Sequence, residues 1–545
     1  MTQPYALPLL PNVQAAADWL RQHATALQTD SRQLQAGQAF IAWPGAAHDA
    51  RVHVEAALQR GATACLAEAD GASAFAFAQP QATASNAGKV ALYQGLREAT
   101  ALIAAEFYRH PSQAMDVIAV TGTNGKTSTA WWLAQVLARQ HAAGAGMVGT
   151  LGVGRFAGQD AAITATGLTT PDPVALQHHL HTLLAQGVRT CVMEASSIGI
   201  EEHRLDGTRI GMALFTNFTQ DHLDYHSSMA AYWQANRKLF DWQGLRAAII
   251  NCDDAHGRQL AQELHQQQQH NNLDIWTLTC QPEQNHSARL QASNIRYGQD
   301  GLIFDLREQS APSGQGRQEA QDAQTITVHS ALIGHYNVAN LLGVLACLRA
   351  RGTPLAQAVA LCDGLQPVPG RMECINQAGQ PLVAVDYAHT PDAVAKALQA
   401  LRPLAEQRGG RLWCVFGCGG NRDPLKRPLM AQAAESGADC IVLTSDNPRN
   451  EAPQTIMAQI AAGFSAGANV HSEPDRSRAI GYAIAQAAAA DIVLVAGKGH
   501  EDYQEICGVR HPFSDQQHVR LALQARTAGA GCTAKKEPQP CTSSP

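Results

Sequence analysis

No apolar run in this chain reaches the ~18–20 residues needed to cross a bilayer. The first residues, Met1 to Pro11, lack the basic stretch and apolar core of a secretory leader. Neither a membrane-spanning nor an exported protein is expected. The 13 cysteines include no CxxC pair and no tight cluster, so the spacing of a structural zinc site is missing. Scattered thiols in a long chain read as reduced and mostly buried, which points to the cytoplasm. Basic excess is absent too. A net charge of −6 argues against nonspecific binding to nucleic acid or a membrane surface, though not against local basic pockets. No internal repeat of fixed period is present.

What is present is an ordinary globular composition, 45% hydrophobic, over 545 residues. Single cores stop growing near about 250–300 residues, so about three domains are expected. The first block runs over residues 1–112. It holds short β-like runs (Ala39 to Ala42, Ala62 to Leu66), an Ala-rich helical stretch from Leu92 to Tyr108, and a linker at His110-Pro111. The second block, 113–365, opens with an apolar strand, Asp116 to Val120, then a glycine-rich turn and an apolar helix, Ser128 to Leu137. Strands at Arg189 to Met193, Ala213 to Phe215 and Ala247 to Ile250 follow, and the polar stretch Ser310 to Gln324 reads as a surface loop or hairpin extension. The third block, 366–526, alternates again, with strands at Leu382 to Val385, Leu412 to Phe416, Cys440 to Leu443 and Ile492 to Val495. Residues 527–545 read as a low-complexity, disordered tail. Strands alternating with helices imply an α/β fold of parallel sheets: a central P-loop ATPase domain and a smaller, Rossmann-like C-terminal domain.

The turn between the strand and helix of the second block is Thr121-Gly122-Thr123-Asn124-Gly125-Lys126-Thr127. Backbone N–H groups of such a turn, with the helix N-terminus behind them, make an anion cradle. Lys126 can reach the β- and γ-phosphates of ATP, and Thr127 can place its hydroxyl on Mg²⁺. Val120 stands where the general phosphate-loop pattern has its first glycine. Glu194 ends the apolar run Thr190 to Met193. A carboxylate at a strand end near the loop suits Mg²⁺ together with Thr127.

The motif TGTNGKT without the first glycine resembles the Mur ligase superfamily, and the resemblance extends from Asp30 to about Leu523. It implies an ATP-dependent ligase that activates a carboxylate as an acyl phosphate for attack by an amine. Positioning and electrostatics supply most of such a rate. In Phe215-Thr216-Asn217 through Asp221-His222-Leu223-Asp224-Tyr225-His226, the resemblance makes His222 a second metal ligand and sets Asn217 near the nucleotide. The family's A-K-x-x-L-F lysine, which carries a carbamate for a second Mg²⁺, is replaced here by Asn236 in Ala235-Asn236-Arg237-Lys238-Leu239-Phe240. Asn is neutral and a weaker ligand, which implies a weakened second metal site. Lys238 is no substitute, because two helical positions turn it by ~200°.

In Pro369-Gly370-Arg371-Met372-Glu373, Arg371 suits a bidentate phosphate clamp. By resemblance, Asp386 and His389 of Asp386-Tyr387-Ala388-His389 lie near the adenosine. Ser31, in Asp30-Ser31-Arg32, lies near the uridine diphosphate of the second substrate. By the same resemblance, Thr169, Thr170, Ser196, Ser197 and Arg204 would contact its muramoyl-peptide part, with Ile198 and Glu202 standing where many members have His and Gln. Asp446-Asn447-Pro448-Arg449 resembles the form found in members that add meso-diaminopimelate to a UDP-N-acetylmuramoyl-dipeptide. Arg449 would pair the distal carboxylate of that amino acid. Arg422 matches a second arginine, and Gly497 and Glu501 of Gly497-Lys498-Gly499-His500-Glu501 match the residues that receive its other end. A cytoplasmic monomer whose partners are small molecules is implied. A folylpolyglutamate-type ligase would share the loop but not these last two motifs. A nucleotide-dependent switch would bind ATP without ligation.

Overall fold

The computed structural model describes residues 7–45, 48–79, 82, 86, 88–158, 160–222, 225–267, 273–298, 301–309 and 325–533. The chain packs as two compact units. One comprises residues 1–293, 305–326 and 339–363, the other 294–304, 327–338 and 364–545.

The first unit begins with a four-stranded parallel sheet, Ala26–Gln28, Gln38–Ala42, Ala64–Glu68 and Val90–Tyr93, in sequence order. Leu92 and Tyr93 therefore end a strand, and the helix expected from Leu92 starts at Leu96. Gly95, in left-handed geometry, separates the two. The helix buries Leu96, Ile103, Ala104 and Phe107 against the sheet core.

The phosphate-loop strand Asp116–Thr121 sits mid-sheet. Thr190–Glu194 lies on one side of it and Met212–Phe215 on the other, both parallel. Ala247–Asn251 and Asp274–Thr279 extend one flank, and Ala145–Gly149 the other. That flank continues into an antiparallel meander, Gly152–Ala157 and Asp160–Thr164, which the sequence pattern had not suggested. All five residues of the strands Ala247–Asn251, Ala145–Gly149 and Thr190–Glu194 are buried, as expected of strands covered by helices on both faces.

In the second unit, a six-stranded sheet runs Glu373–Ile375, Leu382–Asp386, Ile492–Ala496, Leu412–Phe416, Cys440–Leu443, Val470–Ser472; the first pairing is antiparallel and the rest are parallel. Alternate residues feed two cores: Leu382 and Ala384 enter one, Val383 and Val385 the other. The sheet is thus covered on both faces.

One expectation needs amendment. The last helix, Asp515–Thr533, runs through the start of the stretch read as a disordered tail. Val519 and Leu523 anchor it in the core, and Arg526 Nη1 donates to Ile484 O and Ala487 O at 2.5 Å. Residues 534–545, and the loop expected over 310–324, lie outside the described residues. The eleven cysteines whose side chains are described are unpaired and mostly buried, and burial pushes the Cys65 and Cys191 thiols up to about 12.

Candidate functional site

Strand register builds the first centre. Val120 is paired with Glu194, and Thr121 with Phe215, so the turn after Thr121 opens between the ends of both neighbours. Gly122 (φ +123°) and Gly125 (φ +84°) take left-handed geometry there. A Cβ on either would collide, with Thr216 Oγ1 in one case and Asn340 Oδ1 in the other. The segment after Phe215 clamps the loop. Thr123 N donates to Asn217 O (2.8 Å), Asn124 N to Asn217 Oδ1 (3.0 Å), and Asn217 Nδ2 returns a bond to Asn124 O (2.9 Å). Two of the loop N–H groups expected to face phosphate are therefore turned to Asn217. Helix Lys126–Gln140 makes its first ladder bond from Thr129 N to Gly125 O, so the N–H groups of its first turn have no intrahelical acceptor. Lys126 Nζ lies back over the turn, donating to Gly122 O (2.6 Å) and Thr123 O (2.8 Å).

Glu194 is fully buried. Its carboxylate accepts from Thr127 Oγ1 (2.9 Å), Thr150 Oγ1 (3.0 Å) and Thr150 N (2.8 Å). Thr150 was not foreseen. It follows Gly149 at the end of a strand whose place beside Thr190–Glu194 only the sheet order reveals. From Thr150 the network runs to Thr169 Oγ1 (3.0 Å). Thr170 Oγ1 donates to Glu194 O (2.9 Å) and meets Ser196 Oγ, while Thr170 O accepts from Arg204 Nη1 (2.9 Å). The structure thus joins Thr127, Glu194, Thr169, Thr170 and Arg204 in one continuous set. Arg204 is already paired with Glu202 Oε2 at 2.7 Å, so its charge is partly answered from within the chain. Ser197 Oγ bonds His226 Nε2 (2.9 Å), a histidine not singled out from sequence.

Three expected residues stand apart. His222, at φ +53°, bonds through its backbone to Asp221 and turns its ring edge to Tyr232. None of its contacts among the described residues is with Glu194. Ser31 sits in a turn held by Asp30 and Arg32, and its carbonyl accepts from Arg60 (2.7 Å). Asn236 is 1% exposed and fully engaged: Oδ1 accepts from Thr121 Oγ1 (2.7 Å), and Nδ2 donates to Tyr232 O (2.9 Å). In place of a metal-supporting anion, this position ties helix Met229–Arg237 to the root of the phosphate loop. Lys238 faces elsewhere, paired with Glu201 at 2.7 Å on the surface. Among the described residues no group of three or more His, Cys, Asp or Glu side chains is gathered to hold a metal. A buried carboxylate beside a threonine hydroxyl nevertheless fits Mg²⁺, which binds through one or two protein oxygens, phosphate and water.

The second centre lies at the strand ends of the other unit. Asp386 accepts from Met372 N (2.7 Å) and Ala388 N (2.8 Å). Burial raises its carboxyl above the ordinary range, against the pull of Arg371. The Arg371 guanidinium stacks on Tyr387, 4.6 Å from the ring centre, and its Nε is buried without a partner. His389 is exposed, with Nδ1 at 2.8 Å from Tyr387 O. Arg449 donates to Gly420 O (2.8 Å) and pairs with Glu505 at 3.6 Å. Its backbone, at φ +52°, is bonded on both sides to the hairpin Tyr503–Ile506/Val509–Pro512. Arg422 is exposed and borders Gly419 together with Arg449. Asn447 and Glu501 meet directly, Nδ2 to Oε2 at 2.8 Å, and a Cβ on Gly497 would press on Asp446.

The Mur ligase middle domain is matched over residues 120–348, and the Mur ligase glutamate ligase domain over 370–499. The UDP-N-acetylmuramoyl-L-alanyl-D-glutamate--2,6-diaminopimelate ligase of Acidovorax sp. (strain JS42) is 54% identical over 528 residues, covering 96% of this chain and 99% of that one. The chain belongs to the Mur ligase family. A ligase of the same description from Ralstonia nicotianae is 45% identical, covering 96% and 98%. A solved structure of a UDP-N-acetylmuramoyl-L-alanyl-D-glutamate--2,6-diaminopimelate ligase superposes with a TM-score of 0.61 at 35% identity, covering 92% of this chain and 95% of that one. The first match begins at Val120, one residue before the phosphate loop, and the second ends at Gly499, inside the Gly497–Glu501 turn.

Proposed function

We propose that the chain is an ATP-dependent ligase that joins meso-2,6-diaminopimelate to UDP-N-acetylmuramoyl-L-alanyl-D-glutamate in cytoplasmic peptidoglycan precursor synthesis. The observation that carries this is near-full-length identity to relatives so described, in a chain that keeps Arg449 where a distal carboxylate would be paired. In this reading residues 1–112 hold the uridine diphosphate end through Ser31, 113–365 hold ATP, and 366–526 hold the amino acid. The enzyme works as a monomer on small molecules. No described helix is long and apolar enough to cross a membrane.

The glutamyl carboxylate attacks the γ-phosphorus of ATP, giving an acyl phosphate and ADP. The amine of the amino acid then attacks the acyl carbon, giving the amide, inorganic phosphate and a proton. Lys126 steadies the charge that gathers on the transferred phosphoryl group, and Arg371 clamps the nucleotide phosphates. Glu194 and Thr127 would hold Mg²⁺, which neutralises phosphate charge when bound. Arg204 and Thr170 would orient the peptide arm, and Arg449 with Glu501 the amino acid.

A phosphate-release assay tests this. Release is expected only with ATP, the UDP-muramoyl-dipeptide and diaminopimelate together, and lysine is expected to be a poor replacement. Turnover of ATP without the other two would overturn the reading.

A further inference from the structure

The turns carrying Asp446–Arg449 and Gly497–Glu501 share a cation that the reaction above does not use. Lys498 is fully buried. Its Nζ donates to Asn447 Oδ1 and to Glu501 Oε2, both at 3.0 Å, and lies 3.8 Å from Asp446 Oδ1. Asn447 closes the triangle by donating to the same Glu501 oxygen. Burying an ammonium is costly unless counter-charges and acceptors surround it. Here two carboxylates and an amide oxygen face it, and Tyr503 lies 5.4 Å away.

The base of the two turns is tethered by a second buried cation. Arg476 donates to Ser445 O (3.3 Å) and Ala496 O (3.0 Å), at the base of both turns. Its remaining bonds go to Asp515, at 2.8 and 2.7 Å, in a pair with no exposed side-chain surface. The strand ends are fixed by carbonyl bonds from Arg476, and Lys498 bonds only side chains of the pocket.

We propose that Lys498 is a positioning residue of the amino-acid pocket, which locks Asn447 and Glu501 in one geometry and cancels the repulsion between Asp446 and Glu501, so that Glu501 receives the ammonium end of a zwitterionic amino acid. This rests on the ligase reading above. Both bonds from Lys498 and Asn447 land on Oε2 of Glu501, which leaves Oε1 to face the incoming group.

The test is Lys498→Met, with Lys498→Gln as a second variant that keeps a hydrogen-bond donor without the charge. KM for diaminopimelate is expected to rise about tenfold or more in both, while KM for ATP and for the UDP-muramoyl-dipeptide stays within about twofold. A pH profile separates positioning from structural support. Without the ammonium, Asp446 and Glu501 are left with Tyr387, Tyr503 and Cys418 around them and with Arg476, whose side-chain bonds go to Asp515, as the remaining cation that acts on both. One carboxyl then titrates closer to neutrality. The amino-acid KM of both variants should therefore climb as pH falls from about 8.5 to about 6.5, where the wild type stays flat. An unchanged amino-acid KM, a parallel rise in all three KM values, or a rise without pH slope would overturn the proposal. If Lys498→Met does not fold, Lys498→Gln carries the same three readings. Failure of the ligase reading looks different: the wild type itself would then release phosphate without requiring the amino acid.

Discussion

Glu194 ends a parallel strand and Glu501 lies in the turn that follows one, but their surroundings are opposite in kind. Glu194 is held by neutral donors alone, two threonine hydroxyls and one amide N–H. Glu501 is held by a buried ammonium and an amide. A buried carboxylate with only neutral donors among the described residues has no counter-ion there, which leaves room for a cation brought from outside. A carboxylate balanced by lysine is already neutralised as a pair, so it suits a ligand that is itself a zwitterion. In the proposed reading the two centres divide the work: one would receive charge and the other would match it.

The sharpest way to break this contrast is Glu194→Gln. It keeps the shape and removes the charge that a metal ion would need. We expect kcat to fall on the order of 10²–10³-fold, with a higher Mg²⁺ requirement and an unchanged KM for diaminopimelate. A variant that changed only the amino-acid KM would erase the distinction between the centres. Arg449→Ala comes next. It should lower kcat/KM for diaminopimelate by about 10²-fold or more while leaving KM for ATP within about twofold, because a distal carboxylate would lose the cation proposed to pair with it. Near-normal kcat/KM would remove Arg449 from the pocket.

Much of this was legible in the residues. The apolar runs at 116–120, 412–416 and 440–443 are strands with nearly the expected ends, because fully buried parallel strands write themselves as unbroken hydrophobic stretches. Glu194 was legible for the same reason, as a carboxylate closing such a run. Thr150 was not, because its role depends on which strand lies next to Thr190–Glu194, and sheet order is a non-local property. Lys498 stood inside a quoted motif, yet nothing in Gly497-Lys498-Gly499-His500-Glu501 says that a lysine between two glycines turns inward. Asn236 was noticed for what it lacks. Only packing shows what it does, bonding the hydroxyl of Thr121 from a helix 115 residues away in sequence.

That bond yields a prediction of middle size. Asn236→Ala would leave the Thr121 hydroxyl and the Tyr232 carbonyl, both buried, without these partners. A loss of about 1–3 kcal/mol in unfolding free energy is expected from urea titration. If Asn236→Lys restored the family's pattern at no cost in stability and raised turnover, the amide would be dispensable here. If it destabilised the chain by a similar amount, the loop root has been rebuilt around asparagine.

The smallest expected effect concerns the cationic side of the second centre. His500 packs against Tyr387, and its Nδ1 is buried without a partner. Desolvation, reinforced by the Arg371 charge, lowers its pKa to about 4 from an ordinary 6.5. Above pH 6.5 both folded and unfolded chains carry it neutral, so it contributes no pH dependence there. Between 6.5 and about 4 the unfolded chain takes up a proton that the folded chain refuses, so this residue makes stability fall with falling pH across that window and no further below it. His500→Asn removes the titration, and its urea midpoint should decline less between pH 7 and pH 4.5 than that of the wild type. Equal declines would mean that His500 can charge in place. Arg371 would then not be the dominant cation of that corner, and the charge matching drawn for this centre would hold for the Lys498 cluster but not for the Arg371 side.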